Sequence, residues 1–103
     1  VRVNWTDPAL NALDGVFDYI SRDAPVYAQQ FAQQLMAAVD RLDLHPLSGR
    51  TVPEFQRHDI REVIYQQYRI IYWVLSDEQI DIISVVHGSR DLGQISNAPW
   101  EKF

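Results

Sequence analysis

Arginine is the residue type with the widest chemical scope in this chain. Eight of the nine basic residues are Arg, and Lys102 is the ninth. A guanidinium is a planar fork that grips carboxylates and phosphates bidentately, where an ammonium is only a point charge. Arg61, Arg69 and Arg90 all fall in the C-terminal half, with His87 just before the last of them. Guanidinium groups can stabilise the charge of a phosphorane-like transition state, and an imidazole can carry a proton near neutral pH. Such a cluster at one end of a sheet could break a phosphodiester. The same arginines could instead hold carboxylates, either Glu54, Glu62 and Asp91 of this chain or acidic groups on a partner.

Other chemistries find less support. His45, His58 and His87 are scattered without the spacing of a metal site, so neither a metal nor a cofactor is expected. Ser84 and His87 could pair as nucleophile and base only without a third member. The four glycines are isolated, which excludes a phosphate-cradling loop. There are no cysteines, hence no disulfide framework and no thiolate chemistry. The formal net charge of −5 argues against unaided binding of nucleic acid, because neutralised phosphates supply most of that affinity. Trp100 and Phe103 stand out in a polar tail. They either fold back over a satellite core or anchor a partner, as Trp does at interface hot spots.

At 103 residues the chain has the length of one domain, with the part after about residue 92 peripheral to it. No apolar run is long enough to span a membrane, no basic-then-apolar leader opens the chain, and a cytoplasmic location is the expectation. Alternation in 1–5 reads as a strand with Val1, Val3 and Trp5 on its core face. Thr6-Asp7-Pro8 signals a helix start, and Leu10, Leu13, Phe17 and Ile20 give an apolar stripe as far as about Arg22. An apposed helix would explain Gly15 inside it. Asp23-Ala24-Pro25 repeats the start signal for a second helix with Ala28, Phe31, Leu35, Ala38 and Leu42 inward, ended by His45-Pro46. Residues 47–59 read as a loop. Strands follow over 60–66, 68–75 and 79–87, linked tightly enough to form an antiparallel meander. The expected fold is α+β, in the order β-α-α-β-β-β, with a helical hairpin packed on a curved antiparallel sheet.

In detail these residues look familiar. His45-Pro46-Leu47-Ser48-Gly49-Arg50-Thr51-Val52-Pro53-Glu54 resembles a loop of the RelE/ParE toxin superfamily. Ile60-Arg61-Glu62-Val63, Tyr68-Arg69-Ile70-Ile71-Tyr72 and Ile83-Ser84-Val85-Val86-His87-Gly88-Ser89-Arg90-Asp91 resemble its later strands. Trp5-Thr6-Asp7-Pro8-Ala9 resembles its first turn. The resemblance spans about residues 3 to 92 and implies the fold just described.

It also implies the toxin of a bacterial type II toxin–antitoxin pair, neutralised by a cognate antitoxin, ParD-like or similar. RelE-like members cut mRNA on the ribosome, whereas ParE-like members inhibit DNA gyrase and need no catalytic residue. Arg69 matches the catalytic Arg of the nuclease branch by position. The stretch before it has one Arg and no Lys, however, and the stretch after His87 is poor in basic residues. Another ribonuclease branch, similar to YoeB, uses Glu, Arg and a C-terminal His, for which Glu54, Arg69 and His87 would stand. The acidic balance favours the ParE-like reading, with gyrase as the target and Arg61, Arg69, Arg90, Trp100 and Phe103 as partner-binding residues. A ribosome-dependent endoribonuclease and a non-toxic module that only binds its antitoxin are the alternatives.

Overall fold

The computed structural model describes residues 1–89. Its elements are β1 (Arg2–Trp5), α1 (Asp7–Ser21), α2 (Pro25–Asp40), a 3-10 turn (Arg41–Asp43), β2 (Arg50–Thr51), β3 (Ile60–Tyr65), β4 (Tyr68–Val74) and β5 (Gln79–His87). The sheet order is β1-β5-β4-β3-β2. The last three strands form the expected antiparallel meander. The sheet as a whole is mixed, because β1 lies parallel to β5. A parallel neighbour needs a long crossover, and the helical hairpin begins that crossover directly after β1.

The start of α1 is fixed twice. Thr6 Oγ1 accepts from the Ala9 N–H at 3.3 Å and donates to the Ile82 carbonyl at 2.6 Å. The N-cap therefore ties the helix to β5 as well as satisfying one of its orphan amides. The buried stripe of α1 is Ala9 and Leu13, flanked by Ala12, Val16 and Ile20. This differs from the reading through Leu10, which is exposed. The helix turns Ala9 and Ala12 inward beside Leu13, and Leu10 falls outside that stripe. A Cβ on Gly15 would meet nothing within 4 Å, so no apposed helix explains that glycine.

Helix α2 buries Ala28, Phe31, Leu35 and Val39, and Leu42 in the following 3-10 turn completes the stripe. Val39 takes the place expected for Ala38, the larger side chain filling the core. Ala24, not Asp23, occupies the N-cap and makes no side-chain bond there, so Pro25 alone marks this start.

Strand β4 is buried on both faces. Ile70 and Tyr72 join the helix-side core, while Ile71 joins Val52, Ile60 and Val86 in a second, smaller core on the opposite face. A bulge in β5 opposite Ile71 and Tyr72 absorbs one residue, so Ile82 reaches the helix side and Ile83 the far side. Among the described residues no helix is long and apolar enough to cross a membrane.

Candidate functional site

Side-chain alternation along β3 and β4 sorts the arginines. Arg69 lies opposite Ile64 and Val86 in the strand ladders and belongs to the face away from the helices. Arg61 lies opposite Tyr72 and belongs to the helix side. The two guanidinium groups leave neighbouring strands on opposite faces and do not meet.

On the far face, Arg69 is only 5% exposed and sits between two carboxylates. Its two terminal nitrogens donate to the two Glu54 oxygens at 2.7 and 2.8 Å. Its Nε donates to Glu62 Oε1 at 2.5 Å. The other oxygen of Glu62, itself 1% exposed, accepts from Arg50 Nε at 2.6 Å. Arg50, Glu62, Arg69 and Glu54 thus form one neutral chain of alternating charge that crosses from the short edge strand to the following loop. Chiefly through its bonds to Glu54, the guanidinium of Arg69 is pushed well above its already high ordinary pKa. Burying charges in this way is tolerable only because every one of them is paired.

Residues 45–59 are laced to the sheet in three more places. Buried Tyr72 donates its hydroxyl proton to the Pro46 carbonyl at 2.8 Å and accepts from the Gly49 N–H at 3.0 Å. Burial pushes the Tyr72 phenol above its ordinary pKa. Arg61 donates to the carbonyls of His58, Leu47 and Gly49 at 3.0, 3.2 and 2.9 Å. Arg57 grips Asp59 bidentately at 2.9 and 2.7 Å, and Trp73 Nε1 donates to the same carboxylate at 3.2 Å.

The bond from Arg57 holds Asp59 below its ordinary pKa of 3.8, with Trp73 adding to it. A carboxyl lowered in the folded state stabilises the fold above its unfolded pKa and loses that contribution as the pH falls through the folded value. Asp59→Asn should therefore be less stable than the parent above about pH 4. The gap should close in more acidic buffer, as urea midpoints measured from pH 7 down to pH 2.5 would show.

His87 is exposed at the end of β5 on the helix side, paired with Tyr68 and stacked edge-on against its ring at 5.7 Å. Its Nδ1 shares a hydrogen bond of 2.8 Å with Ser89 Oγ. Arg69 and Glu54 therefore come together as the sequence allows, but His87 lies across the sheet from them. Ser84 pairs with Ile71 toward the far face, so the Ser84–His87 pair does not form either. Arg90, Trp100 and Phe103 lie outside the described residues. Among the described residues no cluster of His, Cys, Asp or Glu could hold a metal.

In the sequence Glu62 is one carboxylate among several, and Arg50 and Tyr72 have no role beyond their motifs. The signal lay in strand parity. Ile60, Glu62 and Ile64 share one face of β3, so a carboxylate there had to be buried and required a cation within reach.

Comparison with known proteins places this geometry. The profile of the family described as "ParE toxin of type II toxin-antitoxin system, parDE" matches residues 3–92. A protein of Caulobacter vibrioides named "Toxin RelE2" is 30% identical over 89 residues, covering 86% of this chain and 97% of its own. A structure titled "Chromosomal ParDE TA system from P. aeruginosa" superposes with a TM-score of 0.71 at 18% identity, covering 84% of this chain and 95% of the matched chain. That likeness is one of fold.

Proposed function

Because the chain belongs to the ParE toxin family of type II toxin–antitoxin systems, we propose that it is a toxin that inhibits DNA gyrase by binding to it. A cognate antitoxin of the ParD type holds it inactive, and both act in the cytoplasm. The observation that carries this reading is the condition of Arg69. Arg69, the arginine that matches the nuclease branch by position, is buried, and its charge is matched by Glu54 and Glu62. An RNA phosphate would have to displace a bidentate carboxylate and bring its own negative charge beside two others. His87 stands on the opposite face of the sheet, and the net charge of −5 opposes docking on ribosomal RNA. Binding to a protein makes no such demand.

The purified full chain should block supercoiling by gyrase or trap it on cleaved DNA. An unaffected enzyme at large molar excess sinks the gyrase reading. Toeprinting on translating ribosomes should reveal no cuts in the A site, and their appearance would transfer the protein to the nuclease branch. Induced expression without an antitoxin should stop growth, and harmless expression would remove the toxin reading altogether.

A further inference from the structure

Four of the five tyrosines gather at one pole of the molecule, and the fifth, Tyr72, is buried. Helix α1 ends at this pole with Ser21, and α2 begins there with Pro25. Strand β3 turns into β4 there through Gln66-Gln67, and β5 ends there at His87. Two hydrogen bonds tie these ends together. The Tyr27 hydroxyl, in the first turn of α2, donates to Gln66 Oε1 at 3.0 Å, and the Gly88 N–H donates to the Gln67 carbonyl at 2.7 Å. Phe31 forms the floor. Its ring lies 6.2 Å from that of Tyr27, 5.3 Å from Tyr65 and 5.4 Å from Tyr68. Tilted and edge-on rings attract one another at such separations. Burial pushes the Tyr68 phenol above its ordinary pKa, and the phenols of Tyr19 and Tyr27 add to it, so three hydroxyls from three elements converge.

Core packing accounts for Phe31 and for the bodies of Tyr65 and Tyr68. It does not account for Tyr19, which is 68% exposed, or for Tyr27, which is 46% exposed. Rings left in water but held in place are the composition of an interface hot spot, and fixing them beforehand lowers the entropy cost of binding. The charge at this pole leans the same way as the whole chain. Asp18 and Asp23 are exposed on either side of Tyr19, and Arg22 is the one guanidinium beside them among the described residues. The faces of tyrosine rings attract guanidinium and ammonium groups, and carboxylates at the rim steer such groups inward. A cationic protein surface fits this pole, and a phosphate-bearing one does not.

We propose that the tyrosine pole is the face that docks on gyrase, against an arginine-bearing surface of that enzyme, with Tyr19 and Tyr27 receiving its cations. An enzyme that handles DNA carries cations beside its DNA path, which gives the acidic rim its complement. A segment that folds on binding adapts to whatever surface it meets, whereas rings fixed in advance favour a partner that is itself folded. This rests on the gyrase reading above, and it assigns a place and a chemistry to that contact.

The test measures binding of the full chain to purified gyrase and, separately, to the antitoxin encoded beside it. Tyr19→Ala should weaken gyrase binding by about tenfold or more while its urea midpoint stays near that of the parent, because the ring is mostly in water. Its antitoxin binding should stay within about twofold. Asp18→Lys should weaken gyrase binding at low salt, with the loss shrinking as salt rises. Asp77→Lys, an equal charge reversal in the β4–β5 turn at the opposite pole, should stay within about twofold. Gyrase binding that ignores Tyr19→Ala, or that treats Asp18→Lys and Asp77→Lys alike, overturns the site and leaves the gyrase reading standing. A loss of antitoxin binding in Tyr19→Ala as large as the loss of gyrase binding, or larger, gives the pole to the antitoxin and also overturns it. If the parent chain does not bind gyrase at all, the gyrase reading falls and this inference with it.

Discussion

Arg69→Ala should unfold the protein before it reports on any chemistry. Removing the guanidinium leaves Glu62, which has almost no exposure, and Glu54 facing each other across a hole, with Arg50 still bonded to Glu62. Breaking a buried ion pair from one side costs about 3–5 kcal/mol, a large fraction of the stability of a domain this size. Urea midpoints should fall accordingly, and growth arrest on expression should weaken for that reason alone. Loss of toxicity in Arg69→Ala therefore cannot identify a catalytic residue. A variant that replaces the whole cluster by matching volume separates the two explanations. In Arg69→Met with Glu62→Leu and Glu54→Gln no buried charge remains unpaired, and such exchanges are often neutral or stabilising. Arg50 loses its partner but is largely exposed, which costs little. If the toxin works by binding, this folded triple variant should still inhibit gyrase. A folded triple variant without activity would mean that the charges themselves act on the target.

The sequence carried the order of elements well, because apolar spacing and capping chemistry are local. Thr6, Pro8, Pro25 and the apolar runs of β4 and β5 mark their elements without reference to anything distant. It carried the charged cluster less well. Arg61 and Arg69 look alike along the chain, and only the two-residue turn at Gln66-Gln67, together with strand parity, assigns them to opposite faces. The exposure of Leu10 and the burial of Val39 depend on how each helix rotates against the sheet, which a stripe of several apolar residues specifies only to within one position. Strand β2 was hidden because two residues carry no periodicity. Its presence follows from Arg50 reaching Glu62 and from Gly49 fitting beneath Tyr72, both long-range facts. The parallel placement of β1 was equally nonlocal, being set by the Thr6 bond to Ile82 and by the helices that follow.

Gly49→Ala is the second substitution expected to act strongly, and the reason is room rather than backbone conformation. A Cβ at this position would lie 2.6 Å from the Glu62 carbonyl oxygen, 2.6 Å from the Tyr72 hydroxyl and 2.8 Å from a carbon of its ring. None of these can step aside cheaply. The carbonyl belongs to the central part of β3, and Tyr72 is fully buried in the helix-side core. The 46–49 turn must lift instead, which breaks the bonds from Gly49 to Tyr72 and from Tyr72 to Pro46 and disturbs the grip of Arg61 on Gly49. Overpacking and stranded polar groups together should cost about 3 kcal/mol, read as a shift of the urea midpoint. Tyr72→Phe alone should cost about 1–2 kcal/mol, since it leaves the Gly49 amide and the Pro46 carbonyl without their partner. The two changes should not add. Deleting the hydroxyl removes one of the two closest obstacles to the new methyl group and the bonds that the lifted turn would otherwise break. The double variant should therefore be more stable than the sum of the single losses by about 1 kcal/mol or more. Strict additivity would mean that the turn relaxes away from Tyr72 on its own and that the hydroxyl does not set its position.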